Sequence, residues 1–501
     1  MPEKTIDLLQ DNLTQQTFKP SLGLFDATMV VAGSMIGSGI FIVGADITRN
    51  VGSAGWLIAV WLITGFMTLT AAMSYGELSG MYPKAGGQYV YLKEAYNPLI
   101  GFLYGWSFFA VIQTATIAAV GVAFAKFGAY IFPVLSEDNL LLAIKNGTDA
   151  CGNPTYSFTI SAAQVTSIFI IVLLTMINTK GVKTGKLIQT VFTSAKLLAL
   201  FGLIIFGFIY GMDKGIFGAN WQHAWAPGNL QLKNACDITS GFTTTPISGT
   251  VFLGAIAAAM VGSIFSSDAW NSVTFIAGEI KNPKRNIGLS LFLGTLIVTV
   301  IYVLTNLMYT SVLPIDKIAF VAKDRVAVEA SQQIFGNTGT IIIALLIMVS
   351  TFGCNNGLIL SGARVYYTMA KDKLFFKQVG ELNKNAVPQF ALWVQCVVAC
   401  AWSLSGKYGQ LLDMISFVAV MFYVLTIAGI FILRKKQPNA ERPYKAFGYP
   451  VLPIIYILMG IAFCILLIIY KPQFTWPGLI ITLIGVPIYY IAVGNKKKDQ
   501  A

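Results

Sequence analysis

The sequence predicts an all-α polytopic membrane protein with twelve transmembrane helices. Of its 501 residues, 55% are hydrophobic and only 11% are charged. Because an ordinary soluble domain has about 25% charged residues, a soluble chain of this length would lack the polar residues needed to cover its core. Apolar runs of about 20 residues, long enough to cross a bilayer, recur along the whole chain.

Hydropathy places the predicted helices in twelve segments. In order they cover residues 26–47, 55–81, 98–132, 160–179, 187–211, 248–280, 288–313, 335–369, 390–406, 410–434, 451–470 and 476–494. The first apolar run begins near Asp26, and no small-residue cleavage site follows it. We therefore expect a short cytoplasmic segment at the N-terminus rather than a removable signal peptide.

The positions of lysine and arginine predict the orientation. With a cytoplasmic N-terminus, about 23 of the 34 basic residues fall on the cytoplasmic side and about 10 on the outer side. Both termini are then expected in the cytoplasm. This topology and the attraction of anionic membrane lipid account for the formal net charge of +12, so nucleic acid is not expected as a partner.

The cysteines and the single histidine form no metal-binding pattern, and no metal or cofactor is expected. Cys151 and Cys236 differ from the other four cysteines, because the topology places both in long polar loops on the outer side. We predict a disulfide between them. Two free thiols in the loops are the alternative.

The first predicted helix contains "GSMIGSGIF" (33–41), a stretch of poor helix formers within an apolar run. Gly33 and Gly37 form a GxxxG pattern, which close helix packing would explain. Packing leaves Ser34, Ser38 and Gly39 without a role, so we favour a helix that is broken within the membrane. Such a break is tolerated where it is buried or lines a cavity, and its free amides can bind a carboxylate.

A second break is predicted in the sixth helix, where "FSSDAWN" (265–271) interrupts the apolar run. Paired breaks in helices 1 and 6 are typical of two inverted five-helix repeats, helices 1–5 and 6–10, with helices 11–12 added. The predicted organisation is an N-terminal segment (1–25), a first repeat (26–211), an extracytoplasmic loop (212–247), a second repeat (248–434), a cytoplasmic loop with helices 11–12 (435–494) and a cytoplasmic tail (495–501).

In this order of motifs the sequence resembles the amino acid–polyamine–organocation (APC) superfamily, close to the L-type amino acid transporters and their bacterial relatives. Beside the two breaks, the resemblance rests on "YGELSGMYPKAGGQYVYLKEAYNPLIGFLYGW" (75–106), "KLIQTVFTSAKLLAL" (186–200), "STFGCNNGLILSGARVYYTMAKD" (350–372) and "RKKQPNAERPYKAFGYPVLP" (434–453). It covers nearly the whole chain.

The resemblance implies a substrate site at the two breaks. Backbone amides around Ser38 and Gly39 would bind the substrate carboxylate, and the pocket would be lined from helices 1, 3, 6, 8 and 10. Carbonyls near three further residues would receive the ammonium: Met35, Phe265 and Asp268. Phe265 is similar to the aromatic residue that closes the site from outside, and Asn271 matches a polar position that shapes it.

Two intramembrane charges are further candidates, because a charge within the membrane is costly. Lys196 lies too far from the end of helix 5 to reach the interface. The resemblance implies that it replaces a sodium ion, with its ammonium near the Gly33 carbonyl and the hydroxyls of Ser350 or Thr351. Asp268 stands where human-type L transporters carry glycine. It would attract a cationic substrate, carry a proton, or accept hydrogen bonds from the broken helix.

Two more acidic residues, Glu77 and Glu279, lie near cytoplasmic helix ends, where contacts with basic loops would act as gates. A channel would need repeated pore-lining charges, and a membrane enzyme would need clustered His, Asp or Glu; the sequence has neither. We therefore expect a transporter rather than an enzyme.

The expected activity is sodium-independent transport of L-amino acids by alternating access, as an exchanger or a proton-coupled symporter. Neutral substrates are favoured, because helices 3, 8 and 10 offer no evident carboxylate for a cationic side chain. A cationic amino acid or polyamine antiporter and a non-transporting amino acid sensor are the alternatives. The expected location is the plasma membrane of a bacterium. Amino acid, membrane lipid and a coupling proton are the expected partners, with no obligatory partner subunit.

Overall fold

The computed structural model of the protein describes residues 20–405 and 408–498. Within these residues, eleven helices are long and apolar enough to cross a membrane, and a twelfth apolar helix is shorter. The predicted class, a multi-pass helical membrane protein, is thereby confirmed. Residues 1–19 of the predicted N-terminal segment and residues 499–501 of the tail lie outside the described part of the chain.

The twelve apolar helices are numbered here in chain order. They are α1 (Leu24–Met35, resuming as Gly39–Ile42), α2 (Ala54–Met81), α3 (Pro98–Ile131), α4 (Ala162–Thr179), α5 (Val182–Gly211), α6 (Gly249–Ser266, resuming as Ser272–Phe275), α7 (Pro283–Val312), α8 (Val326–Lys371), α9 (Gln389–Ser405), α10 (Tyr408–Lys436), α11 (Val451–Tyr470) and α12 (Pro472–Lys498).

Short helices connect several of these spans. They comprise α-helical segments Gly44–Val51, Gln88–Ala95, Ile216–Trp221 and Ile315–Ala319, and 3-10 turns Pro133–Leu135, Ala277–Glu279, Ala322–Asp324 and Lys377–Gly380. Several predicted boundaries differ from the observed ones, and two of them differ because the chain breaks or kinks. The first predicted helix ran to residue 47, whereas α1 ends at Ile42 and a separate helix, Gly44–Val51, follows. The predicted eighth helix began at residue 335, whereas α8 begins at Val326 and is kinked at a non-helical glycine, Gly336.

The two long polar loops form β-hairpins, which the sequence analysis did not predict. Strands β1 (Leu140–Thr148) and β2 (Pro154–Ser161) pair antiparallel between α3 and α4. Strands β3 (Gly228–Asn234) and β4 (Asp237–Pro246) pair between α5 and α6. We call the side of the molecule that carries them the hairpin end.

A disulfide joins the turns of the two hairpins. Cys151 lies between β1 and β2, Cys236 lies between β3 and β4, and their Cα atoms are 5.4 Å apart. The predicted disulfide is therefore present. Because 85 residues separate the two cysteines, the bridge closes a loop that contains all of α4 and α5. Both hairpins are held together over one face of the helical bundle.

Candidate functional site

The first helix is interrupted at residues 36–38. Its first segment ends at Met35, and a new helical turn begins at Gly39. In the interruption the Gly37 amide donates to the Met35 carbonyl at 2.8 Å, a contact too short in sequence for an α-helix. The amides that open a helical turn have no partner within it. Those of Gly39 and Ile40 donate to no acceptor among the described residues.

Lys196 of α5 stabilises this interruption through hydrogen bonds. Its ammonium is 1% exposed and donates to the carbonyls of Gly33 and Ile36, both at 2.7 Å. A third carbonyl, that of Ser350 in α8, lies 3.3 Å from Nζ. The cation therefore links α5, α1 and α8, and its two α1 partners are oxygen atoms that the broken helix does not use for its own hydrogen bonds.

The predicted hydroxyl ligands of Lys196 were wrong. The Ser350 hydroxyl donates to the Ile36 carbonyl at 3.3 Å, and only the Ser350 carbonyl faces the ammonium. The Thr351 hydroxyl donates within its own helix, to the carbonyls of Ile347 and Met348. A hydroxyl in a helix readily bonds the carbonyl three or four residues earlier, which removes it as a ligand.

The second break separates Ser266 from the short helical turn that begins at Ser272. Within it Ala269 adopts a left-handed backbone conformation with φ of 63°. This conformation costs a residue with a Cβ about 1–2 kcal/mol, so the surrounding structure must hold it in place. The Asp268 carboxylate accepts a hydrogen bond from the Tyr423 hydroxyl of α10. Asp268 forms no ion pair within the described chain.

The two breaks meet each other. The hydroxyl of Tyr302, in α7, lies 2.9 Å from the Met35 carbonyl and 3.0 Å from the Ser266 carbonyl, the last residues of the two interrupted segments. A Cβ atom on Gly39 would lie 1.9 Å from the Ser266 side-chain oxygen. Only glycine therefore permits α1 and α6 to approach this closely.

A small cavity lies against the second break. Its volume is about 10 Å³, enough for about one water molecule. On the α3 side it meets a π-helical stretch, Phe108–Ile112, a distortion that is frequent at functional sites. The wall is made of Gln88, Tyr104, Phe108, Ile112, Gln113, Thr116, Asp268, Ala269, Asn271, Leu358, Ala419 and Tyr423.

The structure brings some predicted site residues to this cavity and leaves others away from it. Asp268 and Asn271 line it, as do residues of α3, α8 and α10. α1 does not contribute to its wall among the described residues, although the sequence predicted that it would. Phe265, the predicted outer gate, is buried and is not part of the wall either. Ser38 is buried and immediately precedes the resumed turn of α1.

A chain of amide groups forms one side of the cavity. Asn271 donates to the Gln88 side-chain oxygen at 3.0 Å, and Gln88 donates to the Thr426 hydroxyl at 3.0 Å. The second break is thus tied to the loop after α2 and to α10. The sequence analysis missed Gln88, Tyr302 and Tyr423. Gln88 follows two glycines within a motif that carries the family resemblance, and this polar side chain was the available signal.

A large vestibule opens at the hairpin end, with a volume of about 1380 Å³. The pKa of the Arg49 guanidinium there is raised. Burial lowers this pKa, but the attraction of nearby carboxylates, chiefly that of Asp324 at 2.7 Å, raises it by more. A hydrogen bond from Lys323 lowers the pKa of the Asp138 carboxyl. These groups keep their charges, so the vestibule mouth is ionic. Its charged wall residues are Asp46, Arg49, Lys126, Glu137, Asp138, Asp324, Asp413 and Lys471.

The end of the bundle away from the hairpins, which we call the opposite end, is closed by ion pairs. Glu279 contacts Arg364 of α8 at 3.0 Å, and both side chains are buried. Glu77 of α2 contacts Arg434 at 2.7 Å and Arg442 at 3.3 Å. The structure thus opens toward the hairpins and is sealed on the other side. Glu77 contacts the basic loop after α10 as expected, whereas the partner of Glu279 lies in a helix.

Two discontinuous helices that meet in the middle of a helical bundle, below a vestibule, define a secondary-transporter type of membrane protein. The comparison with known families agrees with that class. The model of the amino acid permease family matches residues 22–493, nearly the whole chain. The chain belongs to this family, within the APC superfamily of transporters, and not to a family of enzymes.

Curated relatives match over almost the full length of the chain. The Homo sapiens large neutral amino acids transporter small subunit 2 is 28% identical over 96% of this chain and 82% of its own length. The Mus musculus Asc-type amino acid transporter 1 is 27% identical over 96% and 83%, respectively. The Homo sapiens b(0,+)-type amino acid transporter 1 is 27% identical over 99% and 92%. Amino acid transport is therefore the supported activity.

One expectation about partners needs correction. The sequence analysis inferred no obligatory partner subunit, because the two outer cysteines pair with each other. The first of the relatives above is named a small subunit, which implies that it works in a larger assembly. The internal disulfide accounts for both outer cysteines but leaves noncovalent association open, so it was poor evidence against a partner.

Proposed function

We propose that this protein is a sodium-independent secondary transporter of neutral L-amino acids that works by alternating access. The observation that carries the proposal is the contact of Lys196 with the broken helix. Its ammonium lies 2.7 Å from two carbonyls of α1, so that a fixed cation occupies the junction of α5, α1 and α8. A transporter with a permanent cation at this junction does not need sodium to assemble it.

In this proposal the substrate backbone binds between the two breaks. The amides at Ser38, Gly39 and Ile40 open a helical turn whose dipole favours a carboxylate. Carbonyl groups of the interrupted segments receive the ammonium. The Met35 carbonyl already accepts from the Gly37 amide and the Tyr302 hydroxyl, so the ammonium would have to displace one of these donors.

The substrate side chain would occupy the cavity beside the second break. Its wall offers aromatic and aliphatic groups from α3, α8 and α10, which suits an apolar or small polar side chain. A volume of about 10 Å³ is too small for any amino acid, so the substrate must widen the cavity as it binds. The small cavity, in a structure that opens toward the hairpins, corresponds in this scheme to a state without substrate.

A cationic amino acid or polyamine antiporter is the second candidate. One observation favours it: the buried Asp268 carboxylate lines the cavity, and no ion pair neutralises it in the described structure. Its hydrogen bond from Tyr423 favours a neutral substrate, because this bond already stabilises the carboxylate.

The membrane arrangement is part of the same proposal. We place the hairpin end outside the plasma membrane and both termini in the cytoplasm, since the basic loops lie at the opposite end. The twelve helices would form two inverted five-helix repeats, residues 26–211 and 248–434, followed by α11 and α12. The small-subunit name of one relative supports a second protein as partner. The exposed hairpin β1–β2 at the hairpin end would be the surface that receives it.

Counterflow into liposomes tests the proposal. The purified protein is reconstituted, the liposomes are loaded with one unlabelled amino acid, and uptake of labelled neutral amino acids, cationic amino acids and a polyamine is compared. We expect trans-stimulated uptake of neutral amino acids. Uptake that needs internal amino acid identifies exchange, whereas uptake driven into empty liposomes by a proton gradient identifies symport. A preference for cationic compounds would select the second candidate, and no uptake of any compound would refute transport.

A further inference from the structure

A groove at the opposite end is separate from the substrate site. It lies between α2, α7 and the loop that follows α10, and its volume is about 740 Å³. Ligand-binding clefts typically measure about 300–1,000 Å³, so this one is large enough for part of an organic molecule. Its wall is made of Met73, Gly288, Leu289, Phe292, Pro443, Tyr444 and Phe447, with Lys284 and Arg285 beside them.

The groove is continuous with the membrane-facing surface of α7. Leu289 and Phe292 line it and are 37% and 39% exposed. Leu293 and Leu296 continue this exposed apolar row along the same membrane-spanning helix. In a bilayer such a row contacts lipid, so the groove opens onto the hydrocarbon rather than into water. Phe447, 67% exposed, extends its apolar wall from the loop.

Two cationic side chains stand where this apolar groove meets the helix end. Lys284 and Arg285 lie in the first turn of α7, whose N-terminus carries a partial positive charge. Lys284 has one exposed partner, Glu441, at 2.7 Å, and Arg285 forms no ion pair among the residues that the structure describes. Two cations at the positive end of a helix repel its dipole, and an anion bound there would relieve this repulsion.

The wall of the groove is held in place by buried contacts. The Tyr444 ring packs on Gly76, where an added Cβ atom would lie 2.9 Å from the ring. Two residues after Tyr444, the Ala446 amide donates to the buried Glu77 carboxylate at 2.8 Å. The same carboxylate pairs with Arg442. The loop that forms one wall is therefore anchored to α2, and the groove exists before anything binds.

We propose that this groove binds one anionic phospholipid. The phosphate would lie between Lys284 and Arg285, and an acyl chain would lie along Leu289, Phe292 and Phe447. Basic sites between membrane helices on the cytoplasmic side bind anionic headgroups, and the groove adds an apolar wall for the chain. Because the lipid also contacts the loop anchored on Glu77, it would stabilise the seal at this end.

Native mass spectrometry tests the site without any transport measurement, so its failure is distinct from failure of the proposed function. The full-length protein is incubated in detergent with equal amounts of phosphatidylglycerol and phosphatidylcholine. We expect one phosphatidylglycerol to be retained in preference to phosphatidylcholine. The double variant Lys284→Gln, Arg285→Gln should reduce that preference about 25-fold, since each cation near a headgroup contributes about fivefold.

Matched variants separate this site from general attraction. Lys384→Gln removes an exposed cation from another loop at the same end and should preserve the preference. Leu289→Trp fills the groove and should displace the lipid, whereas Val397→Trp, on an exposed position of α9, should not. Equal retention of both lipids by the wild type, or an unchanged preference in the double variant, would overturn the proposal. So would an equal loss in Leu289→Trp and Val397→Trp.

Discussion

The two helix breaks carry charges of opposite sign. In α1 the carbonyls released by the interruption receive a cation, the ammonium of Lys196. In α6 the interruption carries an anion, Asp268, which accepts a hydrogen bond from a neutral hydroxyl, that of Tyr423. Tyr302 touches the end of both interrupted segments. The first break therefore depends on a charge brought from another helix, whereas the second keeps its own charge beside the cavity.

Because of this difference, we expect the two breaks to have different functions. The cation at the first break has no room for substrate around it, because it is 1% exposed and surrounded by protein carbonyls. The carboxylate at the second break lines the cavity. We infer that the first break sets the conformation of the bundle and offers amides to any amino acid, while the second distinguishes one side chain from another.

The largest effect is expected at the point where the breaks touch. Gly39→Ala places a methyl group where the Ser266 side chain now lies, 1.9 Å from its oxygen. Because this pushes α1 from α6, we expect transport to fall below about one hundredth of the wild-type rate. Counterflow in liposomes measures it. The control is Gly202→Ala in α5, where no atom lies within 4 Å of the added methyl group. Equal loss in both variants would show that the contact of the breaks is not the cause.

The next largest effect is expected from the cation of the first break. Lys196→Ala leaves the carbonyls of Gly33 and Ile36 without their donor, and hydrogen bonds to charged groups contribute about 1.5–3 kcal/mol each. We expect turnover to fall at least about tenfold while the protein still reaches the membrane. Lys196→Gln keeps a hydrogen-bond donor but no charge, so its turnover should lie between that of the wild type and that of Lys196→Ala. A wild-type rate of transport in Lys196→Ala would show that the Lys196 cation is not needed for turnover.

A smaller effect is expected at the hydroxyl between the breaks. Tyr302→Phe removes one hydrogen bond of about 1 kcal/mol, so transport should fall about fivefold. Tyr309→Phe is a matched control on the same helix, because its hydroxyl reaches only the Ile40 carbonyl, at 3.4 Å. Initial rates of uptake should separate the two variants. If both variants lose activity equally, the contact of the Tyr302 hydroxyl with the two breaks is not the cause of the loss.

The smallest effect on neutral substrates is expected at the second break. Asp268→Asn keeps an oxygen that can accept from the Tyr423 hydroxyl, so uptake of neutral amino acids should change about twofold or less. A competition assay with neutral and cationic amino acids measures it. Loss of neutral uptake would show that the negative charge is needed for every substrate, and the two breaks would then not differ in the way inferred here.

The sequence predicted the elements whose signals are local and missed those that depend on packing. Apolar runs located the spans. Clustered glycine and serine residues located the first break, and polar residues that interrupt an apolar run located the second, both to within a few residues. The hairpins were missed, because loop strands of nearly uniform exposure show no alternation of buried and exposed residues. Tyr302 and Tyr423 were missed for another reason. An aromatic residue in a membrane helix is ordinary, and only the fold brings their hydroxyls to the breaks.

The error at Ser350 and Thr351 has the same origin. The sequence marked the right turn of α8 for the Lys196 ammonium, yet which oxygen faces it depends on side-chain rotamers. Likewise, Gly39 was predicted as a site residue through its backbone amide, and its contact with another helix was not foreseen. Its closest neighbour is Ser266, so helix contact is its first requirement. Residue type could indicate a close approach at this position but not what approaches.

The measurement that tests the central claim most directly is counterflow of a neutral amino acid with sodium replaced by choline on both sides of the membrane. If Lys196 occupies the place of a coupling ion, the wild-type rate should be the same in both solutions. In choline, Lys196→Ala should be slow, since the carbonyls of Gly33 and Ile36 then have no cation. Uptake by the wild type that sodium stimulates several-fold would contradict the account.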